Sequence, residues 1–339
     1  MPDVTTLLAA AVLAIVPSLI YLIVLNAIDR YEKEPWSILL SCVVAGALIA
    51  PAISVAIFAL AGRGAVLPPA FAPGLSPDAL TGIVEELVIG LLLIVIVKTV
   101  RSEFDDVLDG VIYGAAIGAG FGAAESFLYA LGGVDLLSLG TLAQLIIAGL
   151  NHAFYAAAIG AAIGLGHRYT GAARWYIVAL GIATASLLHA LHDTLPAIMA
   201  QVLGQPSAAV GAASRLLANA VNWLGLIAIL IIVVWAWRHE AQILRTELQS
   251  EVKDGVVSET DYATITTFGA RTQRQWAEFR RGGLAAASRL NRRYAAEGEL
   301  AFHKWHRTVR DQRAPDPAKD EALRAEIRSL AETAAEGAR

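Results

Sequence analysis

The first 237 residues are dominated by long apolar runs that short polar connections separate. A helix needs about 20 apolar residues to cross a hydrocarbon core of ~30 Å. Seven runs are long enough, at residues 4–27, 37–61, 79–97, 110–131, 140–166, 175–199 and 216–237. The pattern therefore predicts an all-α, polytopic transmembrane helix bundle of about seven spans in a lipid bilayer.

Residues 238–339 differ in composition, because they hold 18 of the 26 Lys and Arg residues and 16 of the 30 Asp and Glu residues. Their Ala, Arg, Glu and Leu content favours helices, with breaks at Gly282-Gly283 and between Pro315 and Pro317. We therefore predict two domains, a transmembrane bundle at 1–237 and a charged helical tail at 238–339.

The tail admits more than one interpretation. Its alternating positive and negative side chains favour a partly ordered, solvated segment. The alternative is a small helical core or an amphipathic stripe on the membrane surface. Four aromatic residues leave this alternative open: Trp276, Phe279, Phe302 and Trp305. Binding of a cytosolic partner is a further role left open for the tail.

The composition supports a membrane location. Hydrophobic residues make up 56% of the chain and charged residues 17%, and the mean hydropathy is +0.57, outside the range of ordinary soluble domains. Cys42 is the only cysteine, which excludes an intramolecular disulfide and a multi-cysteine metal site. The first span is too long for a signal-peptide core, so we expect it to be retained. We expect no nucleic-acid partner.

The basic residues between the spans predict the orientation of the chain. Short cytoplasmic loops carry an excess of Lys and Arg. One set of loops carries Arg30, Lys33, Lys98, Arg101, Arg168 and Arg174, and the opposite set carries Arg63 and Arg215. We therefore expect a multi-pass protein of the cell membrane with its N-terminus outside and its C-terminus in the cytoplasm.

Six ionisable side chains lie inside the predicted spans: Glu85, Glu86, Glu125, His152, His189 and Asp193. A charge in the hydrocarbon core costs several kcal/mol, so such residues are functional-site candidates. At a rise of ~1.5 Å per residue, they fall roughly 10–18 Å below the outer surface. Four antiparallel helices thus place their ionisable groups in one layer of the outer half of the bilayer.

The spacing within these helices adds detail. His189 and Asp193 are four residues apart and share a helix face, so the carboxylate can accept the imidazole N–H. Glu85 and Glu86 are about 100° apart on a helix, so we expect one to face the cavity and neighbouring groups to hold the other. His192 either joins the site or points to the headgroup region.

Glycines recur at intervals of four just before Glu125, at Gly110, Gly114, Gly118 and Gly122. A stripe of small residues lets a second helix approach closely. We therefore predict tight helix packing at this stripe and assign it no catalytic role.

Several short motifs resemble the PrsW-type intramembrane proteases, which are relatives of the CAAX prenyl endopeptidases. They are D-R-Y-E-K-E-P-W at 29–36, the Glu85-Glu86 pair, F-x-x-x-E from Phe121 to Glu125, N-H-A-F at 151–154 and H-x-x-x-D from His189 to Asp193. The likeness covers roughly residues 20–200. It implies a polytopic peptidase that cleaves membrane-anchored proteins, such as anti-sigma factors, close to the extracytoplasmic face.

The resemblance also implies which residues act and shows one departure from the family. It implies catalytic roles for the six ionisable residues, Glu85, Glu86, Glu125, His152, His189 and Asp193. The family pattern E-E-x-x-K has Ile89 in place of its Lys, and Lys98 lies too far along the helix to replace it, at ~18 Å from Glu86. If that Lys holds one carboxylate ionised, the corresponding Glu is more readily protonated here.

The leading hypothesis is peptide-bond hydrolysis, in which Glu86 or Glu85 takes a proton from water. His152 and His189 either stabilise the oxyanion or bind Zn²⁺ together with Glu125, while Asp193 orients His189. The family is described as metallopeptidase, whereas its CAAX relatives suggest a reaction without an obligatory metal.

Other chemistries are poorly supported, since the sequence has no H-E-x-x-H motif and no pair of intramembrane aspartates. The alternative from another class is a proton-coupled transporter or membrane sensor, because buried Glu, Asp and His also form proton relays. A catalytically inactive scaffold is the third interpretation.

Overall fold

The computed structural model describes residues 3–60, 77–101, 103–104, 106–132, 134–136, 138–203, 208–310 and 317–336. These residues form helices, and no strand occurs among them. Seven of the helical segments are long and apolar enough to cross a membrane. The predicted all-α polytopic bundle is therefore confirmed.

The membrane-spanning part consists of consecutive helices. They are α1 (Val4–Ile28), α2 (Trp36–Val44), a π-helical segment (Ala45–Ile49), α3 (Ala50–Leu60), α4 (Pro77–Thr99), α5 (Val107–Leu131), α6 (Leu139–Gly166), α7 (Ala172–Val202) and α8 (Ala208–Lys253). The segments from α2 to α3 form one span, Trp36–Leu60.

The helix bounds agree with the predicted spans to within a few residues, with one exception. The last predicted span ends at residue 237, whereas α8 continues as one helix to Lys253. Its polar part has good helix formers and no Gly or Pro before Lys253, so nothing in the local sequence stops the helix where hydropathy ends. Residue 61, the predicted end of the second span, lies outside the described residues.

Polar residues just before the helices fix where several of them begin. The Asp106 carboxylate accepts from the backbone N–H groups of Leu108 and Asp109, and the Asp109 carboxylate accepts from the Asp106 N–H. This capping box satisfies donors that the first turn of α5 would leave unpaired. Ser138 caps α6 in the same way through the N–H of Thr141.

The described chain divides into two compact units. The first unit comprises Met1–Asp29 with Glu34–Val233, and the second comprises Arg30–Lys33 with Val234–Arg339. The functional division into a protease-like bundle and a cytoplasmic tail stays a prediction.

Helix α5 is the central element of the first unit and is buried along most of its length. At Gly110 and Gly114, α5 contacts the backbone of α6 rather than its side chains. A Cβ atom added at Gly110 or Gly114 would lie 2.1 Å from the carbonyl oxygen of Gly160 or Ala156, respectively. The predicted close packing at the glycine stripe is therefore confirmed for these positions.

A second face of α5 packs equally closely against the π-helical segment. A Cβ atom at Gly46 would lie 1.9 Å from the Ile117 carbonyl oxygen, and one at Gly120 would lie 2.1 Å from that of Val43. A π-helical turn inserts an extra residue into a helix and shifts the direction of the following side chains. Here it lies where α5 makes one of its closest backbone contacts.

A buried carboxyl group ties the connection between α1 and α2 to α5. Glu34 is 6% exposed, and its Oε2 accepts a hydrogen bond from the hydroxyl of Tyr113, which is fully buried. The backbone N–H of Glu34 donates to the Asp29 carboxylate. Asp29 and Glu34 both belong to the motif at 29–36, so that motif has a structural role.

The second unit contains α9 (Glu259–Ile265), α10 (Phe268–Arg310) and α11 (Pro317–Glu336). The predicted break at Gly282-Gly283 is confirmed, because Gly283 has a φ of 65° and interrupts the helical backbone of α10. Pro315 lies outside the described residues.

The expectation of a partly ordered, solvated tail is wrong, because the second unit has its own apolar core. Leu244, Leu248, Tyr294 and Leu300 are completely buried in it. Of the four aromatic residues singled out in the tail, Phe302 is buried and Trp305 packs against this core, whereas Trp276 and Phe279 are exposed.

A buried carboxylate joins three helices of the second unit. Glu251 in α8 pairs with Arg324 of α11 through two parallel contacts of 2.9 Å. The Nζ of Lys304 in α10 lies 3.0 Å from the same carboxylate. Bidentate Arg–carboxylate pairs combine strength with a defined geometry, so this triad fixes the helices around the core.

We expect Gly114→Leu to destabilise the first unit by at least ~2 kcal/mol, within the range for overpacked sites, because a side chain would meet the Ala156 backbone. Thermal unfolding of the purified full chain in detergent measures the effect. Gly211→Ala is the matched control, since its Cβ would meet only the end of the Arg215 side chain at 4.0 Å. Equal melting temperatures for wild type and Gly114→Leu would contradict the packing assignment.

We expect the stability of the chain to fall as the pH rises from about 4.5 to about 8. Burial, with a smaller contribution from Asp29, raises the pKa of Glu34 from 4.5 to about 8. The folded chain therefore binds more protons than the unfolded chain between these values, and its free energy of unfolding declines with pH.

The measurement is the melting temperature across this pH window. Glu34→Gln should flatten the slope, since the amide stays neutral and its oxygen still accepts from Tyr113. Glu299→Gln removes a carboxylate whose side chain is 54% exposed and should leave the wild-type slope. A slope in Glu34→Gln as steep as in wild type would refute the assignment to Glu34.

Candidate functional site

The structure brings together all six ionisable residues that the sequence places inside the spans. Glu85 and Glu86 lie on α4, Glu125 on α5, His152 on α6, and His189 and Asp193 on α7. The centroids of the two imidazole rings are 4.9 Å apart. We call these six residues the carboxylate–histidine cluster.

His189 is the centre of the cluster because both of its ring nitrogens face carboxylates. Its Nδ1 lies 2.9 Å from Glu86 Oε1, and its Nε2 lies 3.4 Å from Asp193 Oδ2 and 3.8 Å from Glu85 Oε2. The expectation that only one of Glu85 and Glu86 reaches the site is wrong. One imidazole presents nitrogens on opposite sides, so it can meet two carboxylates that leave their helix in different directions.

His152 contacts the cluster from the neighbouring helix. Its Nε2 lies 2.9 Å from Glu125 Oε2, and its Nδ1 lies 3.9 Å from Glu86 Oε1. Because a carboxylate only accepts hydrogen bonds, the short contact places a proton on Nε2 of His152. The other nitrogen, Nδ1, has no hydrogen-bond partner among the described residues.

The carboxylates of the cluster differ in exposure. The side chain of Glu86 is 0% exposed and that of Glu85 is 18% exposed, whereas Asp193 reaches 29% and Glu125 reaches 53%. Glu86 is therefore the most enclosed carboxylate of the cluster, and Glu125 and Asp193 are its two most exposed members, which we call its open side.

Close backbone packing and aromatic rings hold the two histidines in place. A Cβ atom at Gly118 would lie 2.1 Å from the carbonyl oxygen of His152, so only glycine lets α5 come this near. The Tyr155 ring stacks on His189 at 4.8 Å with planes 17° apart, and Phe121 packs against His152 at 4.8 Å. These contacts restrict the ring rotations that would break the carboxylate contacts.

A polar network that the sequence analysis did not identify extends from the cluster to α8. The Nδ2 of Asn222 donates to the Tyr155 hydroxyl at 2.6 Å and lies 3.2 Å from Nδ1 of His192. Asn151 lies 3.4 Å from the other nitrogen of His192 and donates to Asn219 at 3.2 Å. His192 thus belongs to this network.

The signal that could have found these residues is their polarity within apolar runs. Asn151, Asn219 and Asn222 all lie inside predicted spans, where an amide needs a partner. Tyr155 carries no comparable signal, because tyrosine is common in membrane helices.

The arrangement of lone pairs fits a cation. Glu86 accepts a hydrogen bond from the Nδ1–H of His189. The Nε2 of a neutral His189 ring then carries a lone pair, and this lone pair would face two carboxylates. This juxtaposition is repulsive unless a proton or a cation lies between them. Nδ1 of His152 offers a second lone pair without a partner.

Glu85, His152 and His189 can supply one ligand atom each within 4.8 Å of one another. Two histidines and a carboxylate with an open fourth position suit Zn²⁺. This set differs in one residue from the expected trio of Glu125, His152 and His189. Glu125 occupies Nε2 of His152, on the opposite side of the ring from the nitrogen that is free to bind, and so orients this histidine.

Oε2 of Glu86 is a second buried atom without a hydrogen-bond partner in the described part of the chain. Its partner atom Oε1 binds His189. A fully buried carboxylate oxygen with unused acceptor capacity, next to two histidines, can accept a proton from a molecule that enters the cluster.

The position of the family's Lys is apolar in the structure as well as in the sequence. Ile89 is fully buried. Lys98 is in the last turn of α4, with its Nζ 5.9 Å from the ring centroid of Trp175. The ion pairs of the cluster are therefore formed by its histidines.

Comparison with known proteins gives two matches. A family model described as PrsW family intramembrane metalloprotease matches residues 34–236, more than half of the chain. The chain is also 29% identical over 168 residues to Protease PrsW of Geobacillus kaustophilus (strain HTA426), an alignment that covers 49% of this chain and 70% of that protein. No solved structure gives a significant match. The resemblance inferred from the short motifs is confirmed.

Proposed function

The chain belongs to the PrsW family of intramembrane metalloproteases, and we propose from this that it cleaves a membrane-anchored protein, such as an anti-sigma factor, near the extracytoplasmic face. It is a protease and a multi-pass membrane protein. The substrate, the side of cleavage and the residue roles below are the proposed part.

The observation that carries the proposal is the environment of Glu86. This carboxylate is completely buried, contacts His189 through one oxygen and leaves the other without a partner among the described residues. Hydrolysis needs a base beside groups that stabilise negative charge, all within reach of one reacting atom. Most buried side-chain oxygens have a hydrogen-bond partner, so the unpartnered oxygen of Glu86, beside His152 and His189, is available to a molecule that enters the cluster.

In the proposed reaction, Glu86 is the general base. Its Oε2 takes a proton as the oxygen of a water molecule attacks the carbonyl carbon of the scissile peptide bond. The same carboxyl group returns this proton to the amine nitrogen as the C–N bond breaks. The products are a new carboxyl end and a new amino end.

Glu85, His152 and His189 would hold Zn²⁺, which when bound supplies a Lewis acid for the scissile carbonyl. Glu125 holds the Nε2–H of His152 and aims Nδ1 into the cluster, and Asp193 restricts the ring of His189. In the metal-independent form of the mechanism, protonated His152 and His189 would stabilise the oxyanion themselves.

The open side of the cluster supports access from one face of the membrane. Glu125 and Asp193 are the more exposed members, and a cleavage site needs entry for water and an extended peptide. The excess of Lys and Arg on one set of loops favours an extracytoplasmic position for the open side. The same asymmetry assigns the C-terminal unit to the cytoplasm.

We expect Glu86→Gln to lower substrate cleavage by at least ~100-fold, since general-base catalysis contributes about 10²–10⁴-fold. Quantitative proteomics of membrane and shed fractions, from cells that express each variant at equal abundance, measures the released fragment. Glu34→Gln is the control, because it replaces another buried carboxyl that has no contact with the cluster, and it should release the fragment as wild type does.

The contrary result also has a clear meaning. If no fragment depends on Glu86 or on His189, tested as His189→Ala, the protease mechanism at this cluster is refuted. The proton-coupled transporter or sensor would then be the better interpretation of the buried carboxylates and histidines.

We expect the purified full chain to bind about one Zn²⁺ per molecule after removal of metal with a chelator and back-titration. His152→Ala and His189→Ala should lose this binding, whereas His192→Ala should keep it, because His192 pairs with asparagines. Metal content by mass spectrometry and the melting temperature with added zinc are the readouts. Two results would favour the metal-independent form. One is equal zinc binding by all three variants, and the other is no zinc binding by any of the proteins, wild type included.

A further inference from the structure

A basic pocket in the second unit lies outside the carboxylate–histidine cluster. Its volume is about 360 Å³, within the range of small-ligand sites of ~300–1,000 Å³. One face of α8 forms a wall through residues spaced by three or four positions, and Tyr31 and Thr266 line it from other segments. The α8 residues are Val234, Trp237, Arg238, Ala241 and Arg245.

The arginines of this pocket lack carboxylate partners. Within the described residues, neither Arg238 nor Arg245 forms an ion pair within 4.0 Å, although many other arginines of the same unit do. Arg245 donates one hydrogen bond, from Nη2 to the Thr266 carbonyl oxygen at 3.0 Å. Arg238 is exposed. Two guanidinium groups therefore face one pocket with most of their donors available.

A third guanidinium group lies next to the ring of Tyr31. Arg271 is 6% exposed, and its carbon Cζ lies 5.5 Å from the ring centroid of Tyr31. Its Nη1 has no hydrogen-bond partner in the described part of the chain. Burial lowers the pKa of Arg271 to about 10, and the positive charge of Arg30 acts in the same direction. A buried cation in this state attracts an anion into its surroundings.

Most of the charged groups that act strongly on Tyr31 are positive. Arg30, Arg271 and Arg245 each act on its phenol from nearby, against one carboxylate, Glu240, which is buried in α8. The Glu297 carboxylate of α10 pairs with Arg293 and also acts on Arg271. An excess of guanidinium groups in a partly enclosed pocket suits phosphate, which accepts bidentate hydrogen bonds from arginine.

The place of the pocket along α8 suggests the source of the phosphate. The apolar run of α8 ends at Trp237, and the arginines begin at the next residue. Tryptophan and tyrosine concentrate at the membrane–water interface, and basic residues just beyond a span attract anionic headgroups. The pocket therefore combines aromatic residues of interfacial type with uncompensated positive charge at the end of a span.

We propose that the pocket formed by Tyr31, Trp237, Arg238 and Arg245 binds a phosphate group, and that an anionic phospholipid headgroup supplies it. The guanidinium groups hold the phosphate oxygens. Val234 and Trp237 precede the arginines along α8, on the side from which the span comes, and contact the glycerol and first acyl carbons. This site is independent of peptide cleavage.

Native mass spectrometry of the purified full chain in detergent tests this site. The chain is titrated with phosphatidylglycerol, with phosphatidylcholine and with inorganic phosphate. We expect phosphatidylglycerol to bind at least ~10-fold more tightly than phosphatidylcholine, and the double variant Arg238→Gln/Arg245→Gln to lose about 10-fold in affinity for phosphatidylglycerol.

Two further variants keep the test decisive. Arg280→Gln/Arg281→Gln removes two exposed arginines of the same unit and should bind phosphatidylglycerol as wild type does. Arg238→Gln alone changes an exposed side chain without a protein partner, so it should keep the wild-type melting temperature and still weaken binding about fivefold.

The outcomes separate the sources of the phosphate. Inorganic phosphate could bind with the same dependence on Arg238 and Arg245, while the chain shows no preference for phosphatidylglycerol over phosphatidylcholine. This result would support the phosphate site but identify its ligand as a soluble anion. Unchanged phosphatidylglycerol affinity in Arg238→Gln/Arg245→Gln, or an equal loss in Arg280→Gln/Arg281→Gln, would overturn the proposal.

Discussion

Carboxylates and imidazoles remain inside a membrane-spanning bundle only when they pair with one another, because no bulk water is present to solvate them. His189 meets this requirement for Glu85, Glu86 and Asp193, and His152 meets it for Glu125. The pairs join four different helices. The positions of these helices are therefore tied to the pairing of their ionisable groups, and each helix contributes a group that another helix needs.

Contacts of about 3 Å between side chains on neighbouring helices require short distances between the helix backbones. The glycines of α5 allow these distances, since Gly118 touches the backbone of His152 itself and Gly114 touches that of Ala156, one turn further along α6. On α4, Gly82 leaves room for the ring of His189 in a similar way. The glycine stripe thus takes no part in the proposed chemistry, yet it determines where the histidines lie.

Two buried carboxyl groups of the first unit show how a structural and a reactive role differ. Glu34 accepts from the Tyr113 hydroxyl and lies beside Asp29 in a closed environment, so its function is to join the α1–α2 connection to α5. Glu86 is also buried, but its Oε2 and the nearby Nδ1 of His152 have no hydrogen-bond partners among the described residues. Unused hydrogen-bonding capacity at the centre of the cluster is what a substrate, a water molecule or a cation would take up.

The sequence by itself determined the membrane-spanning bundle, the bounds of most spans and the six residues of the cluster, because hydropathy and the cost of buried charge are local properties of each segment. It did not predict that one imidazole serves both Glu85 and Glu86, that Glu85 takes the place of Glu125 beside the two histidines, or that Tyr155 and Asn222 support the site. It left a helical core in the C-terminal unit open only as an alternative, and it did not identify Leu244 and Tyr294 as members of that core. These features depend on the rotation of each helix about its axis and on contacts between residues far apart in the chain, and only the packed tertiary structure decides both.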